Sequence, residues 1–534
     1  MTPIVLEAAT PPAVAPRAAA ALLWLAACGP VLGALAPPAT AQEIVSHPDQ
    51  LQFPSYTYVP PQAAKYRVKL GNGMIAYLVP DRTTPLVTVH VLMRLGPQLD
   101  PPGKEGLAAM TANLLTRSGT ATMTAEQVET KVASLGAQLE SNAGGGGGGF
   151  FGLGGVPIGP SEGRATVNLL SKDLDQGLAL LTACLKGAAF QADRVKLYKD
   201  QALQNMKRRN DESGDIEERE WSALLRGDDH WTNHWSTKAS LDAITVDDMK
   251  AFQKRYVGPK NFILAVAGDF DRGAMVKKLE AAFAKWPTPG DKPGTPPAPD
   301  KPAQAGWYMV EKDVNKGRVS IGLPSLDRYD PDWAAARVMN DILGGGGFTS
   351  RLVNRIRSDE GLAYSVNSRI EGGTYYPEPW RLVFQSKVRS VAYATEIAMG
   401  EIRKMRDSLV TPTELEVSRN KFVESLPVQF ETANAIAGAL AVEELTGRYE
   451  KDPAYFSDYA KRLNAVSAGD VQRVAKRLLD PSKMTVLMVG QTGEIMKGDD
   501  KHPASITKLA GGDPKRLPLR DPLTMRPQQP STPN

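Results

Sequence analysis

The chain has 534 residues but only two cysteines, five histidines and a formal net charge of +4. Two cysteines, Cys28 and Cys184, exclude a disulfide framework, and removal of a leader would leave Cys184 alone. Cys184 lies in the apolar pattern Leu178-Leu180-Leu181-Cys184-Leu185, which reads as a buried helical thiol and not as a nucleophile. A net charge this small supplies no field for nucleic acid or an acidic membrane. The strongest apolar run, Ala18 to Ala27, is short and is followed by Gly29-Pro30, which argues against a transmembrane anchor. Hydrophobic content of 42% and charged content of 23% are those of a soluble globular chain, long enough for roughly two to four domains.

What is present begins with a leader. Arg17 precedes the apolar run, and Ala39-Thr40-Ala41 forms a small-x-small cleavage site, so residues 1–41 read as a signal peptide. Leu25-Ala26-Ala27-Cys28 offers a second reading, a bacterial lipoprotein signal with a lipid anchor at Cys28. Both place the mature chain outside the bacterial cytoplasm, in the periplasm.

A Pro-rich linker over 287–302 divides the chain into domains at 60–286 and 303–496, and a Pro-, Asp- and Lys-rich stretch at 497–534 reads as a disordered tail. The two domains are repeats. Asp248, Lys254-Arg255, Pro259 and Gly268 recur as Asp470, Lys476-Arg477, Pro481 and Gly490, always 222 positions later. Such a long period marks a duplicated domain and not a solenoid. Strands expected at 65–79, 86–94, 164–170, 262–267, 318–323, 381–388 and 484–489 interleave with helices expected at 105–117, 124–135, 174–188, 192–209, 391–409 and 412–426. This is an α+β pattern, with a mainly antiparallel sheet packed with helices in each domain.

The most informative segment is Gly344-Gly345-Gly346-Gly347-Phe348 followed by Arg357-Ser-Asp-Glu-Gly-Leu-Ala-Tyr364. A helix carrying Arg351, Arg355 and Arg357 is broken at Gly361, and Leu362 to Val366 reads as a strand. Arg357 and Tyr364 therefore flank a helix-to-strand turn that can aim a cation and a phenol into one cavity. A second glycine-rich stretch, Gly144 to Gly155, carries Phe150 and Phe151 and lacks both a Walker lysine and a dinucleotide-loop context. It reads as a flexible loop, with gating of a chamber by the two phenylalanines as the sharper alternative. His230 and His234 have the i, i+4 spacing of metal ligands but no acidic third ligand, so a structural role is expected. His90 reads as a core or interface residue of a strand.

Several of these residues together resemble the pitrilysin/insulinase family of zinc metallopeptidases. Leu70-Gly-Asn-Gly-Met74, Gly106-Leu-Ala108 through Gly119-Thr120, Leu135-Gly136-Ala137, Tyr256-x-x-Pro259-x-Asn261 to Gly268-Asp269, and the 344–366 segment follow its motifs in order. The resemblance implies two homologous domains forming half of a clamshell. In active members a His-x-x-Glu-His helix holds zinc and activates water. Here the matching positions are Ala109, Ala112 and Asn113, and the third ligand position falls near Asn205. No zinc is therefore expected in this chain.

By the same resemblance, Arg357 would bind substrate carbonyl groups and Tyr364 would stabilise an oxyanion, acting in trans on zinc held by a partner. Gly344 to Gly347 and Phe348 would lie beside the substrate. The implied assembly is a heterodimer with a related His-x-x-Glu-His subunit that cleaves peptides or unfolded segments. This chain alone would be inactive. The alternative is an inactive homologue serving as a structural or peptide-binding scaffold.

Overall fold

A computed structural model describes residue 47, residues 58–144, residue 156 and residues 158–528. The signal peptide, Cys28 and most of the Gly144–Gly155 stretch, with Phe150 and Phe151, lie outside the described residues. No described helix is long and apolar enough to cross a membrane.

Two six-stranded mixed sheets carry the fold. The first runs β1 (Arg67–Lys69), β2 (Ile75–Pro80), β6 (Phe262–Gly268), β3 (Leu86–Arg94), β5 (Glu162–Leu170), β4 (Gln138–Ala143). The second runs β12 (Lys515–Leu517), β7 (Gly306–Glu311), β11 (Thr485–Gly490), β8 (Lys316–Leu326), β10 (Glu378–Lys387), β9 (Ala363–Ile370). Most pairings are antiparallel. The β2–β6 pair in the first sheet and the β7–β11 and β7–β12 pairs in the second are parallel. The expected α+β class holds.

The internal repeat appears as matched positions in the two sheets. β6 and β11 occupy the third place of each, and each follows a proline-initiated turn at Pro259 or Pro481. The preceding helices, Val246–Tyr256 and Ala468–Leu478, start with capping boxes, Thr245 with Asp248 and Ser467 with Asp470. A cap side chain bonded to the third backbone N–H satisfies one orphan donor of a helix start. The Asp248/Asp470 identity is thus a helix-start signal. Gly268 ends β6 with φ +122°, and a Cβ there would lie 2.0 Å from the Leu86 carbonyl oxygen, so only glycine fits.

Strand alternation gives each sheet two buried faces. On β3, Val87, Val89, Val91 and Met93 pack into the core of the N-terminal half. Leu92, on the opposite face, meets the helix Ala433–Leu445, which belongs to the C-terminal half in sequence. Ala437 and Ala441 let this helix approach closely, and Glu444 accepts from Arg67 (2.9 Å) and from the Tyr77 hydroxyl (2.9 Å). The reciprocal exchange also occurs. The helix Ser213–Arg226, from the N-terminal half, covers the second sheet with Ile216, Trp221, Leu224 and Leu225 against Tyr308, Val310, Leu487 and Val489. Its buried Glu217 accepts from Arg318 Nε (2.5 Å) and Ser320 Oγ (2.5 Å) on β8. Each half therefore lends a helix to the other's sheet. The sequence expectation gave each sheet only helices of its own.

The 287–302 segment is irregular but pinned. Lys260 N donates to the Pro289 carbonyl, Arg255 pairs with Asp291, and His230 and Trp231 share the Pro297 carbonyl. The disordered tail expected at 497–534 is corrected over 498–528. This stretch contains the helix Ile506–Ala510 and β12, which extends the second sheet along β7. It then returns to the N-terminal half, where Arg520 pairs with Glu220 (2.7 Å) and Lys238 N donates to the Leu523 carbonyl. Charge and proline content concealed a segment held by strand pairing and a buried carboxylate.

His90 lies where the two halves meet. Its Nδ1 is 2.8 Å from Thr166 Oγ1 and its Nε2 is 2.9 Å from Asn434 Oδ1, beside the start of the exchanged helix. Burial pushes its pKa down from 6.5 to about 4. The folded chain then holds fewer protons than the unfolded chain between those values. This stabilisation is complete above pH 6.5 and fades as pH falls toward 4. We expect His90→Gln to reduce the stability difference between about pH 7.5 and 5 by about 2 kcal/mol, read by urea denaturation. An unchanged pH slope would contradict this assignment.

Candidate functional site

The 341–370 segment is built around close packing. The helix Trp333–Asn340 continues as a widened π-helical turn over Asp341–Gly345. A Cβ on Gly344 would lie 2.6 Å from Ser368 Oγ, one on Gly345 2.6 Å from Asn340 Nδ2, and one on Gly346 2.6 Å from the Asp341 carbonyl oxygen. Three of the four glycines thus let this turn approach β9 and itself. Gly344 is buried, whereas Gly347, with φ +65°, and Phe348 are exposed. A second π-helical stretch, Val353–Asp359, follows, and Gly361 (φ +62°) turns the chain into β9.

The structure brings Phe348, Arg357 and Tyr364 together. The Arg357 guanidinium carbon lies 4.6 Å from the Phe348 ring centroid and 4.9 Å from that of Tyr364. The phenyl and phenol rings stand out from the surface, 67% and 84% exposed. Arg351, Arg355 and Arg357 differ in their partners. Arg351 makes a forked pair with Glu414 (2.6 and 2.9 Å) and holds that carboxyl down at about 2. Arg355 pairs with Asp359 at 2.8 Å. Among the described residues, no carboxylate lies within 4.0 Å of Arg357. Ring contacts orient a guanidinium without neutralising it, so its donors remain available to a carbonyl or carboxylate.

The helix Leu107–Leu114 carries the positions matched to zinc ligands. Its start is held by Asp100, which accepts from Gly106 N and Ala108 N, both at 2.7 Å. Burial pushes the Asp100 carboxyl up to about 7 despite those two donors. Ala109 and Asn113 lie one turn apart and are half-buried, and Ala112 is buried. Asn205, near the end of the helix Ala192–Lys207, is exposed and accepts from Arg208 of the same helix end at 3.1 Å. Two methyl groups and neutral amides do not fit a zinc ion, which takes thiolate, imidazole or carboxylate donors. Among the described residues, no three His, Cys, Asp or Glu side chains gather as a metal site. We expect less than about 0.1 zinc per chain by mass spectrometry after purification in zinc-containing buffer. A stoichiometric ion would overturn this reading.

The histidines are engaged elsewhere. His230 is buried, with Nδ1 at 2.7 Å from Thr232 Oγ1 and its ring edge-on to Tyr376 at 5.8 Å. His234 Nε2 lies 2.9 Å from the Asp229 carbonyl. Sequence reasoning missed a charged cavity of about 420 Å³ over β9 and β10. It begins at Ser365, next to Tyr364, and is lined by Asn367, Arg369, Arg381, Arg318 and Glu218. The signal was present as the alternation along β10, where Trp380, Leu382 and Phe384 face the core and Arg381, Val383 and Gln385 line the cavity.

Two six-stranded sheets with exchanged helices, an Arg357–Tyr364 pair beside Phe348, and a helix with Ala109, Ala112 and Asn113 at the matched positions make up this α+β chain. Residues 243–422 match the family described as "Peptidase M16 inactive domain". A protein of Rickettsia bellii named "uncharacterized zinc protease" is 22% identical over 427 residues, covering 79% of this chain and 96% of that one. A protein of the same description from Streptomyces coelicolor is 26% identical over 322 residues, covering 58% and 68%. Among solved structures, a peptidase M16 inactive domain from Pseudomonas fluorescens superposes with TM-score 0.68 at 21% identity, covering 79% of this chain and 97% of that one. A protease from Helicobacter pylori gives TM-score 0.67 at 20% identity, covering 81% and 100%.

Proposed function

We propose that this chain is the non-zinc-binding subunit of a heterodimeric zinc metallopeptidase exported to the bacterial periplasm. Its partner is a related chain that carries His-x-x-Glu-His. One observation supports this reading above the others. The chain has lost the metal donors at Ala109, Ala112 and Asn113, yet it presents an unneutralised Arg357 between Phe348 and an 84% exposed Tyr364. A scaffold requires the fold, but it does not require a cation and a phenol held together and left uncovered.

In the assembled peptidase, Arg357 donates to backbone carbonyl groups of the bound peptide. The Tyr364 hydroxyl donates to the oxyanion that develops when water attacks the scissile carbonyl. A donor placed in advance at that oxygen lowers the barrier because it needs no reorganisation during the reaction. Gly347 and Phe348 border the bound segment, while Gly344 to Gly346 shape the turn that carries them. The test is co-expression with the His-x-x-Glu-His chain, followed by peptide hydrolysis with Arg357 and Tyr364 variants. Copurification with full activity in those variants would favour the scaffold role.

A further inference from the structure

A second cavity, of about 530 Å³, opens among the start of the helix Trp333–Asn340, the turn around Lys451 and the helix Tyr459–Asn464. Its volume is in the usual range for a small-molecule site. Its aromatic walls are Tyr329, Trp333, Tyr455 and Tyr459. The acidic groups at its rim are already neutralised. Asp332 is paired with Arg473 and Arg477, Asp330 with Arg477, and Asp452 with Arg462.

Three cations in the lining have no such partner, and one of them, Arg328, spends its Nη2 donors on Tyr329 and Thr446. Among the described residues, no carboxylate lies within 4.0 Å of Arg337 or Lys451. Arg337 is held only by rings, 4.2 Å from the Phe422 centroid, 5.1 Å from Tyr459 and 5.8 Å from Trp333. Lys451 lies 4.7 Å from the Tyr329 ring centroid. Three donors in the lining are also unused, Arg328 Nε among them. Tyr459 is only 4% exposed and its hydroxyl makes no hydrogen bond, and the Trp333 indole N–H is likewise unpartnered. The Arg337 guanidinium faces the Tyr459 hydroxyl and partly offsets the rise in pKa that burial causes, but the contact falls short of a formed hydrogen bond and leaves the hydroxyl proton without an acceptor. A buried hydroxyl without a partner is costly, and cations supported by ring faces retain their N–H donors. Unused donors, unneutralised cations and flat apolar walls converge on one kind of ligand.

We propose that this cavity binds a carboxylate carried beside an aromatic ring, on a free acid or at the C-terminus of a peptide. The carboxylate meets Arg337 and the Tyr459 hydroxyl, Lys451 adds long-range attraction from the rim, and the ligand ring lies against Trp333 and Tyr455. The proposal does not depend on catalysis in trans.

The full mature chain tests it by calorimetric titration with N-acetylphenylalanine, N-acetylphenylalaninamide and the tripeptide Gly-Gly-Phe. We expect saturable binding of the acid and about tenfold weaker binding of the amide, since a charge-assisted hydrogen bond is lost. Tighter binding of the tripeptide than of the acetylated residue identifies a peptide C-terminus as the natural source, and the reverse order identifies a free acid. Arg337→Met should weaken the acid about tenfold. Tyr459→Phe keeps the ring, and Lys451→Met alters only an exposed side chain, so these variants read the site if Arg337→Met disturbs packing. Equal affinity for acid and amide, or no saturation by acid or tripeptide below about 10 mM, would overturn the proposal.

Discussion

Replacing Tyr364 by phenylalanine is expected to lower kcat of the proposed heterodimeric peptidase about a hundredfold while leaving assembly intact. Removal of one oxyanion donor costs about 3 kcal/mol in comparable sites, equivalent to two orders of magnitude in rate. The ring remains, so its contact with Arg357 remains, and Tyr364 is so exposed, at 84%, that its hydroxyl has no structural partner to lose. Arg357→Ala is expected to lower kcat/KM about thirtyfold, with a contribution from KM, since in the proposed complex its donors would bind peptide carbonyls before and during reaction. Arg357→Lys should rescue little. A lysine ammonium lacks the flat face that sits between Phe348 and Tyr364. Steady-state kinetics on the copurified pair measures each value. If Tyr364→Phe instead abolished copurification and left the residual rate per complex unchanged, the ring pair would be an interface anchor.

Truncation after Lys497 is expected to destabilise the chain by about 5 kcal/mol. The segment beyond it buries Ile506 completely, which contributes about 2 kcal/mol. It also supplies Arg520 to Glu220, a carboxylate only 4% exposed. Removing the cation leaves that charge buried and unpaired, at a cost of about 3 kcal/mol. β12 adds backbone pairing on the outer edge of β7, and its loss exposes that edge. Urea denaturation of full-length and truncated chains reads the difference. Arg520→Ala should reproduce the ion-pair part alone. An unchanged midpoint on truncation would mean that the tail only rests on the fold.

The sequence was legible where local rules dominate. β3 is found at its expected residues, 86–94, because Leu86–Arg94 is a β-branched, apolar run between turns. The capping box of Thr124 with Gln127 starts a helix as expected. The duplication was visible because Asp248/Asp470 and Pro259/Pro481 encode helix starts and turns at a fixed offset. The exchanged helices were not legible. Their contacts reach strands far away in sequence, 101 positions from Glu217 to Arg318 and 367 from Tyr77 to Glu444, and periodicity states that a face is buried without saying against what. The tail was misread because its three-residue strand is held by β7 and carries little propensity of its own. At the site, the sequence paired Arg357 with Tyr364 across the turn, but only the structure shows that the Phe348 ring also packs against the guanidinium.

The most direct test of the account is a mixing experiment. This chain and a related His-x-x-Glu-His chain are purified separately, then combined, with peptide hydrolysis and zinc measured for each and for the complex. The account predicts no hydrolysis by this chain alone, zinc only in the partner, and a rate in the mixture at least about a hundredfold above that of the partner alone. Hydrolysis by this chain without a partner, or a partner rate unchanged by its addition, would contradict it.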